Sequence, residues 1–65
     1  MKVELNGEEI HLHRSQNIEE FISARGAQPP YAVALNGTFV SRTELASTML
    51  NDGDKVELLS PIQGG

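Results

Sequence analysis

The 65-residue chain has no cysteine and no tryptophan, and only two phenylalanines and one tyrosine. Without cysteine there is no disulfide, no thiolate metal site and no thiolate-bound iron–sulfur cluster. No side chain can act as a sulfur nucleophile or carry a persulfide. The absence fits a reducing compartment. Basic residues are also few: 5 against 9 acidic ones, a formal net charge of −4. A nucleic-acid backbone asks for a basic patch, so nucleic acid is a poor partner. An acidic balance suits docking on a basic protein surface, and equally suits simple solubility. No apolar run reaches transmembrane length and no signal-peptide pattern opens the chain, so the sequence reads as soluble and cytoplasmic, with no membrane partner.

A chain this short makes one domain. It buries only about 60 % of the surface its unfolded form exposes, so its stability is modest. The apolar residues are patterned. Lys2-Val3-Glu4-Leu5 alternates polar and apolar, the period of a half-buried strand. Asn6-Gly7 is a strong hairpin-turn signal. Glu9 to His13 alternates again. A two-residue turn pairs Leu5 with Glu8, Val3 with Ile10 and Met1 with Leu12, which puts the apolar members on one face. A slip of one residue breaks that agreement.

Asn17 with Glu20 three residues on is a capping-box pattern. Ile18, Phe21 and Ile22 form one helical stripe, and Gly26 with Pro29-Pro30 stops it, which predicts a helix over Asn17 to Arg25. Tyr31 to Leu35 reads as a strand, Asn36-Gly37 as a second hairpin turn, with Leu35 opposite Thr38 and Val33 opposite Val40. Phe39 then faces away from the core beside Ala34. Ser41 with Glu44, then Leu45, Ala46, Met49 and Leu50, predicts a short second helix. Asn51-Asp52-Gly53-Asp54 is turn chemistry. Lys55 to Leu59 is a last strand, ended by Pro61, which has no N–H to donate.

The order β-β-α-β-β-(short α)-β predicts an α+β fold of the β-grasp type, with a mixed sheet of about five strands curled around one main helix. Residues 1–60 make the domain, and residues 61–65 are predicted to be a flexible tail.

The side chains offer no credible active site. His11 and His13 share the face opposite Ile10 and Leu12. A structural zinc site takes four ligands and none joins them in sequence, so they read as exposed histidines on a solvated face. Glu8-Glu9, Glu19-Glu20 and Asp52/Asp54 sit at turns and a helix start, where acids favour the helix dipole or water rather than a catalytic cleft. No phosphate loop or nucleophile elbow is present.

What remains is the ending, Gly64-Gly65. At about 7 % glycine usage, two final glycines arise by chance in roughly one chain in 200. A terminal carboxylate is ionised at neutral pH and inert until activated. Its oxygen can attack the α-phosphate of ATP to give an acyl-adenylate, from which a sulfur donor displaces AMP. Glycine lacks Cβ, so such a terminus threads a narrow channel and approaches a nucleotide closely.

Asn36-Gly37, Arg42, Asp52-Gly53-Asp54, the strand Lys55 to Leu59 and Gly64-Gly65 together resemble the ThiS family, the bacterial sulfur carriers of thiamine biosynthesis, over essentially the whole chain. The small subunit of molybdopterin synthase also ends in two glycines, though it is usually longer, and it or another sulfur carrier stays open as the alternative within the same class. The resemblance implies a protein co-substrate rather than an enzyme, with no cofactor bound by the chain itself. An E1-like adenylyltransferase (ThiF-type) would use ATP to activate Gly65, with Gly64 recognised beside it. A cysteine desulfurase or related donor would supply sulfur, and a thiazole synthase (ThiG-type) would receive it. Phe39, Leu59 and Ile62, apolar and near the reactive end, are the candidate docking residues. Two other classes stay open at this point: a ubiquitin-type protein modifier, and a β-grasp interaction module without tail chemistry.

Overall fold

The computed structural model describes residues 1–60. Five strands and one α-helix follow in the order β1 (Lys2–Leu5), β2 (Glu8–His11), α1 (Ile18–Ser23), β3 (Ala32–Leu35), β4 (Thr38–Val40) and β5 (Lys55–Leu59), with a single 3-10 turn at Arg42–Glu44 before β5. They form one mixed sheet, ordered β2-β1-β5-β3-β4. The last strand is therefore the central one, parallel to β1 and antiparallel to β3.

Both hairpins take the register set by their hydrophobic patterns. Val3 lies opposite Ile10, and Leu5 opposite Glu8. Val33 lies opposite Val40, and Leu35 opposite Thr38. Asn6 and Gly7 have φ of +50° and +86°, and Asn36 and Gly37 have +51° and +84°. Two successive residues at positive φ match the right-handed twist of the flanking strands, which explains the repeated Asn-Gly. Strand β2 ends at His11, short of the His13 predicted. The ladder still closes: Leu12 N–H donates to Met1 O at 2.8 Å, and the Met1 ammonium to Leu12 O at 3.0 Å.

Helix α1 opens on the predicted capping box. Glu20 N–H donates to Asn17 Oδ1 at 2.7 Å, and Asn17 N–H to Glu20 Oε1 at 3.1 Å. Its regular part stops at Ser23, two residues before the predicted end at Arg25. Gly26 N–H bonds Ser23 O and Ala27 N–H bonds Ile22 O, with Gly26 at φ +84°, the left-handed closure that glycine allows. Arg25 reinforces it: its guanidinium lies 4.2 Å from the Phe21 ring centre and donates to Phe21 O at 3.0 Å.

The predicted second helix does not form. Only the 3-10 turn is present, and of the proposed stripe Leu45 and Leu50 are buried while Ala46 and Met49 are exposed. Hydroxyls compete for the carbonyl an α-helix would use: Thr48 Oγ1 and Ser47 Oγ both donate to Glu44 O, at 2.6 and 3.2 Å. The next segment is drawn out by backbone bonds to the chain before α1, with Leu50 N–H on Gln16 O and Ile18 N–H on Thr48 O. Asn17 and Met49 form an isolated bridge there.

The core lies between α1 and one sheet face. Ile18, Phe21 and Ile22 pack with Val3, Val33, Val40 and Val56, and Leu12, Leu45 and Leu50 close the sides. Among the described residues no polar or charged side chain is buried.

Candidate functional site

Since β5 is central, it carries the chain out of the middle of the sheet at Ser60. Three loops and turns fix this strand. At its start, Asp52 Oδ1 accepts from Lys2 N–H at 2.7 Å, Gly53 N–H donates to Lys2 O at 2.7 Å, and Asp54 Oδ2 accepts from Asn51 N–H at 2.8 Å. Gly53 sits at φ +89°. The Asp-Gly-Asp motif is thus a wired turn that docks β5 beside β1, and its carboxylates are occupied by backbone donors. The two hairpin turns supply the other fixings: Lys55 N–H donates to Asn36 Oδ1 at 2.9 Å, and Leu58 N–H to Asn6 Oδ1 at 2.8 Å. Sequence reasoning treated both asparagines as turn formers and missed these side-chain bonds. The repeated Leu-Asn-Gly of residues 5–7 and 35–37 was the available signal.

The sheet face away from α1 divides into two halves. With Val3, Val33 and Val56 turned inward, the registers place Lys2, Glu4, Glu9, His11, Lys55 and Glu57 outward across β2, β1 and β5. Ala32, Ala34, Phe39 and Leu59 face outward across β3, β4 and the end of β5. Phe39 is 67 % exposed and Leu59 70 %. Ala34 is opposite Phe39 on one side and Glu57 on the other, and Ala32 is opposite Leu59. Two alanines therefore leave a low apolar floor between two large exposed side chains, bounded by Glu57. Pro30 and Tyr31 join Ala32, Leu59 and Ser60 in lining a recess at the end of β5. Leu59 thus lies on β5 itself, and Phe39 on the same outward face two strands away. Ile62, Gly64 and Gly65 lie outside the described residues.

On the charged half, Lys2 Nζ meets Glu9 Oε2 at 2.8 Å. That hydrogen-bonded contact holds the Glu9 carboxyl below its ordinary range and the Lys2 ammonium above its own. His11 is exposed on this half, while His13 lies in the bend beyond β2. No group of three or more His, Asp or Glu with metal-binding geometry occurs among the described residues. No helix among them is long and apolar enough to cross a membrane.

A central last strand, a helix across one face and a partly apolar opposite face define a β-grasp domain of the ubiquitin-like class. The ThiS family model matches residues 2–65, so the chain belongs to the ThiS family. The crystal structure of the thiamine biosynthesis protein ThiS from Geobacter metallireducens is 35 % identical, with each chain fully covered and a TM-score of 0.82. A solution structure of a thiamine biosynthesis protein from the same organism is 32 % identical, covers all of this chain and 88 % of that one, and has a TM-score of 0.83. A thiazole synthase of Paramagnetospirillum magneticum is 35 % identical over 66 aligned positions, which include all of this chain but only 20 % of that protein. The chain therefore spans about a fifth of the length of that relative.

Proposed function

We propose that the chain is a sulfur carrier of thiamine biosynthesis whose reacting group is the Gly65 carboxylate. The observation that carries this reading is the ThiS family match, which runs through Gly64-Gly65 to residue 65. In the first step a Gly65 carboxylate oxygen attacks the α-phosphorus of ATP, held by an E1-like adenylyltransferase. The bond to the β-phosphate oxygen breaks, and pyrophosphate leaves. The resulting acyl-adenylate has AMP as a good leaving group, which the free carboxylate lacks.

In the second step the terminal sulfur of a protein persulfide attacks the acyl carbon. A C–S bond forms, the C–O bond to AMP breaks, and the sulfur loses its proton. A thiol then attacks the protein-side sulfur of the resulting acyl disulfide; the S–S bond breaks, a Gly65 thiocarboxylate leaves, and the thiol and the donor protein are joined in a disulfide. A cysteine desulfurase is the proposed origin of the persulfide. The carrier contributes no side chain to these steps. It supplies a terminus without Cβ and a surface for docking, with Phe39, Leu59 and Ile62 as the docking residues.

A thiazole synthase is the proposed recipient of the sulfur. Support comes from a protein of that name containing, as a fifth of its length, a segment similar to this whole chain. Joining carrier and acceptor in one polypeptide raises their effective concentration for one another, as expected of two modules that meet in each turnover.

The test is an intact-mass measurement. Incubated with its cognate adenylyltransferase, ATP and a persulfide donor, the protein gains the mass of one oxygen-to-sulfur exchange, located at Gly65 by fragmentation. An unchanged mass with a competent enzyme overturns the carrier role. Transfer of the chain to lysine amines of other proteins would place it among modifiers instead.

A further inference from the structure

Strand β1 supports β5 for only two rungs, Glu4 with Lys55 and Leu5 with Val56. The chain then turns away through Asn6-Gly7. Strand β5 runs on through Glu57, Leu58 and Leu59, and beyond Val56 no strand among the described residues pairs with its β1 flank. Asn6 fills that gap. Its main-chain N–H donates to Val56 O at 2.9 Å. Its carboxamide then takes both backbone groups of Leu58: Nδ2 donates to Leu58 O at 3.1 Å, and Leu58 N–H donates to Oδ1 at 2.8 Å. A carboxamide presents one acceptor and two donors in a plane, as a peptide group presents its own pair. The side chain therefore adds a rung to the sheet where the backbone has left it. On the other flank, β3 holds Leu58 opposite Val33 and Leu59 opposite Ala32. Leu58 is gripped from both sides, two residues before Ser60.

Asn36 occupies the same place in the other hairpin turn. Its N–H donates to Lys55 O at 2.8 Å, and its Oδ1 accepts from Lys55 N–H at 2.9 Å. The two asparagines thus hold opposite ends of one strand, Asn36 its start and Asn6 its end.

We infer, on the basis of the carrier role proposed above, that Asn6 is a positioning residue for the reacting terminus. Its carboxamide sets the point and direction in which the chain leaves the sheet at Ser60. Five residues, fully extended in an enzyme channel, span roughly 17 Å. A root held at Leu58 narrows the volume that such a tail samples, and misplacement of a reacting atom by about 1 Å can cost on the order of a hundredfold in rate. Asn36, at the far end of β5, has no such leverage. The pair is therefore a close comparison: like turns, φ of +50° and +51°, and in each an Oδ1 that accepts from a β5 N–H, while Nδ2 goes to Leu58 O from Asn6 and to Asp54 Oδ1 from Asn36.

The experiment compares Asn6→Gly with Asn36→Gly in adenylation by the cognate enzyme, followed by pyrophosphate release, alongside amide exchange at Leu58 and thermal unfolding. Glycine accepts a φ of +50°, so each change removes the clasp and keeps the turn. Both variants lose similar stability, and Leu58 exchange accelerates only in Asn6→Gly. Only Asn6→Gly loses about tenfold in kcat, with KM within about twofold of the unmodified protein, because the docking face is untouched. Wild-type kcat in Asn6→Gly, or equal kcat losses in the two variants, overturns the inference and leaves the carrier role standing. Absence of adenylation in the unsubstituted protein, measured in the same assay, overturns both. If Asn6→Gly does not fold, Asn6→Asp carries the test. It keeps an acceptor for Leu58 N–H and loses the donor to Leu58 O, so unchanged kcat there overturns the inference.

Discussion

Asn36 and Asp54 are joined by a hydrogen bond of 3.0 Å from Asn36 Nδ2 to Asp54 Oδ1, while the other oxygen of Asp54 accepts Asn51 N–H at 2.8 Å. One carboxylate thereby ties the β3–β4 turn to the loop that delivers β5 into the centre of the sheet. Asp54 also takes part through its backbone, its O accepting from Glu4 N–H at 2.9 Å. Strand β5 is thus held at its start by groups from β1, from the β3–β4 turn and from its own loop.

Replacing Asp54 by Ala removes both side-chain bonds and leaves its two backbone bonds, to Glu4 N–H and Asn51 O. Hydrogen bonds to a charged group contribute about 1.5–3 kcal/mol, less where water competes, so Asp54→Ala should cost about 2 kcal/mol. In a domain whose total stability is on the order of 5 kcal/mol, that is a large shift of the urea midpoint at constant slope. A midpoint equal to that of the unsubstituted protein would show the turn to be held by its backbone alone.

The segment between Glu44 and Asn51 gives a second prediction. A continuous helix would make Leu45, Met49 and Leu50 comparable members of one stripe. Here Leu50 is fully buried and Met49 is 48 % exposed. Leu50→Ala should cost about 3 kcal/mol, and Met49→Ala less than about 0.5 kcal/mol. Equal losses, read from chemical denaturation, would restore the helix.

These two cases mark where the sequence was readable and where it was not. The hairpins were legible because two constraints agree: Asn-Gly fixes a two-residue turn, and only one register then puts Val3 with Ile10 and Val33 with Val40 on the core side. The start of α1 was legible because Asn17 and Glu20 satisfy one another locally. The second helix was misread because its apolar spacing suits a helix while Ser47 and Thr48 divert the Glu44 carbonyl, a competition that periodicity does not register. The exposure of Phe39 and Leu59 followed from alternation. The bonds from Asn6 to Leu58 and from Asn36 to Lys55 join residues 52 and 19 positions apart, which only the assembled sheet brings together.

The Lys2–Glu9 contact sets a pH signature with two ends. The Glu9 pKa is depressed by the hydrogen bond to Lys2, so its contribution is present above the ordinary carboxylate range and is lost as pH falls through the lowered value. The Lys2 pKa is raised by the same contact, so its contribution is present below the ordinary lysine range and is lost as pH rises through the raised value. Both side chains are more than half exposed, at 57 % and 52 %, so salt screens the contact. Nuclear magnetic resonance titration should show Glu9 returning toward its ordinary pKa in Lys2→Met or in high salt. A Glu9 pKa indifferent to both would mean that the pair is not formed in solution.

Deleting Gly65 tests the terminus apart from the domain. Among the described residues the core draws on nothing beyond Leu58, which packs against it partly buried, and the sheet ends at Leu59. The shortened protein should unfold within about 0.5 kcal/mol of the full chain, as for changes outside the packed core. Its adenylation should be abolished, seen as no pyrophosphate release with the cognate enzyme and ATP. Retained release would move the reacting group away from Gly65.

Phe39 and Leu59 test the proposed docking face. Two large side chains this exposed, set over Ala32 and Ala34, contribute little to the core, so Phe39→Ala and Leu59→Ala should change stability by less than about 0.5 kcal/mol. Apolar anchors of this kind dominate protein interfaces, and loss of one commonly costs more than about 1 kcal/mol, or about tenfold in affinity. Each variant should therefore raise KM for the adenylyltransferase about tenfold with little change in kcat, the reverse of the pattern expected for Asn6→Gly. Glu4→Gln, on the charged half of the same face, supplies the comparison and should leave KM within about twofold. If Phe39→Ala and Leu59→Ala keep the wild-type KM while Glu4→Gln raises it, the enzyme docks on the β2–β1 half, and charge rather than apolar contact selects the carrier.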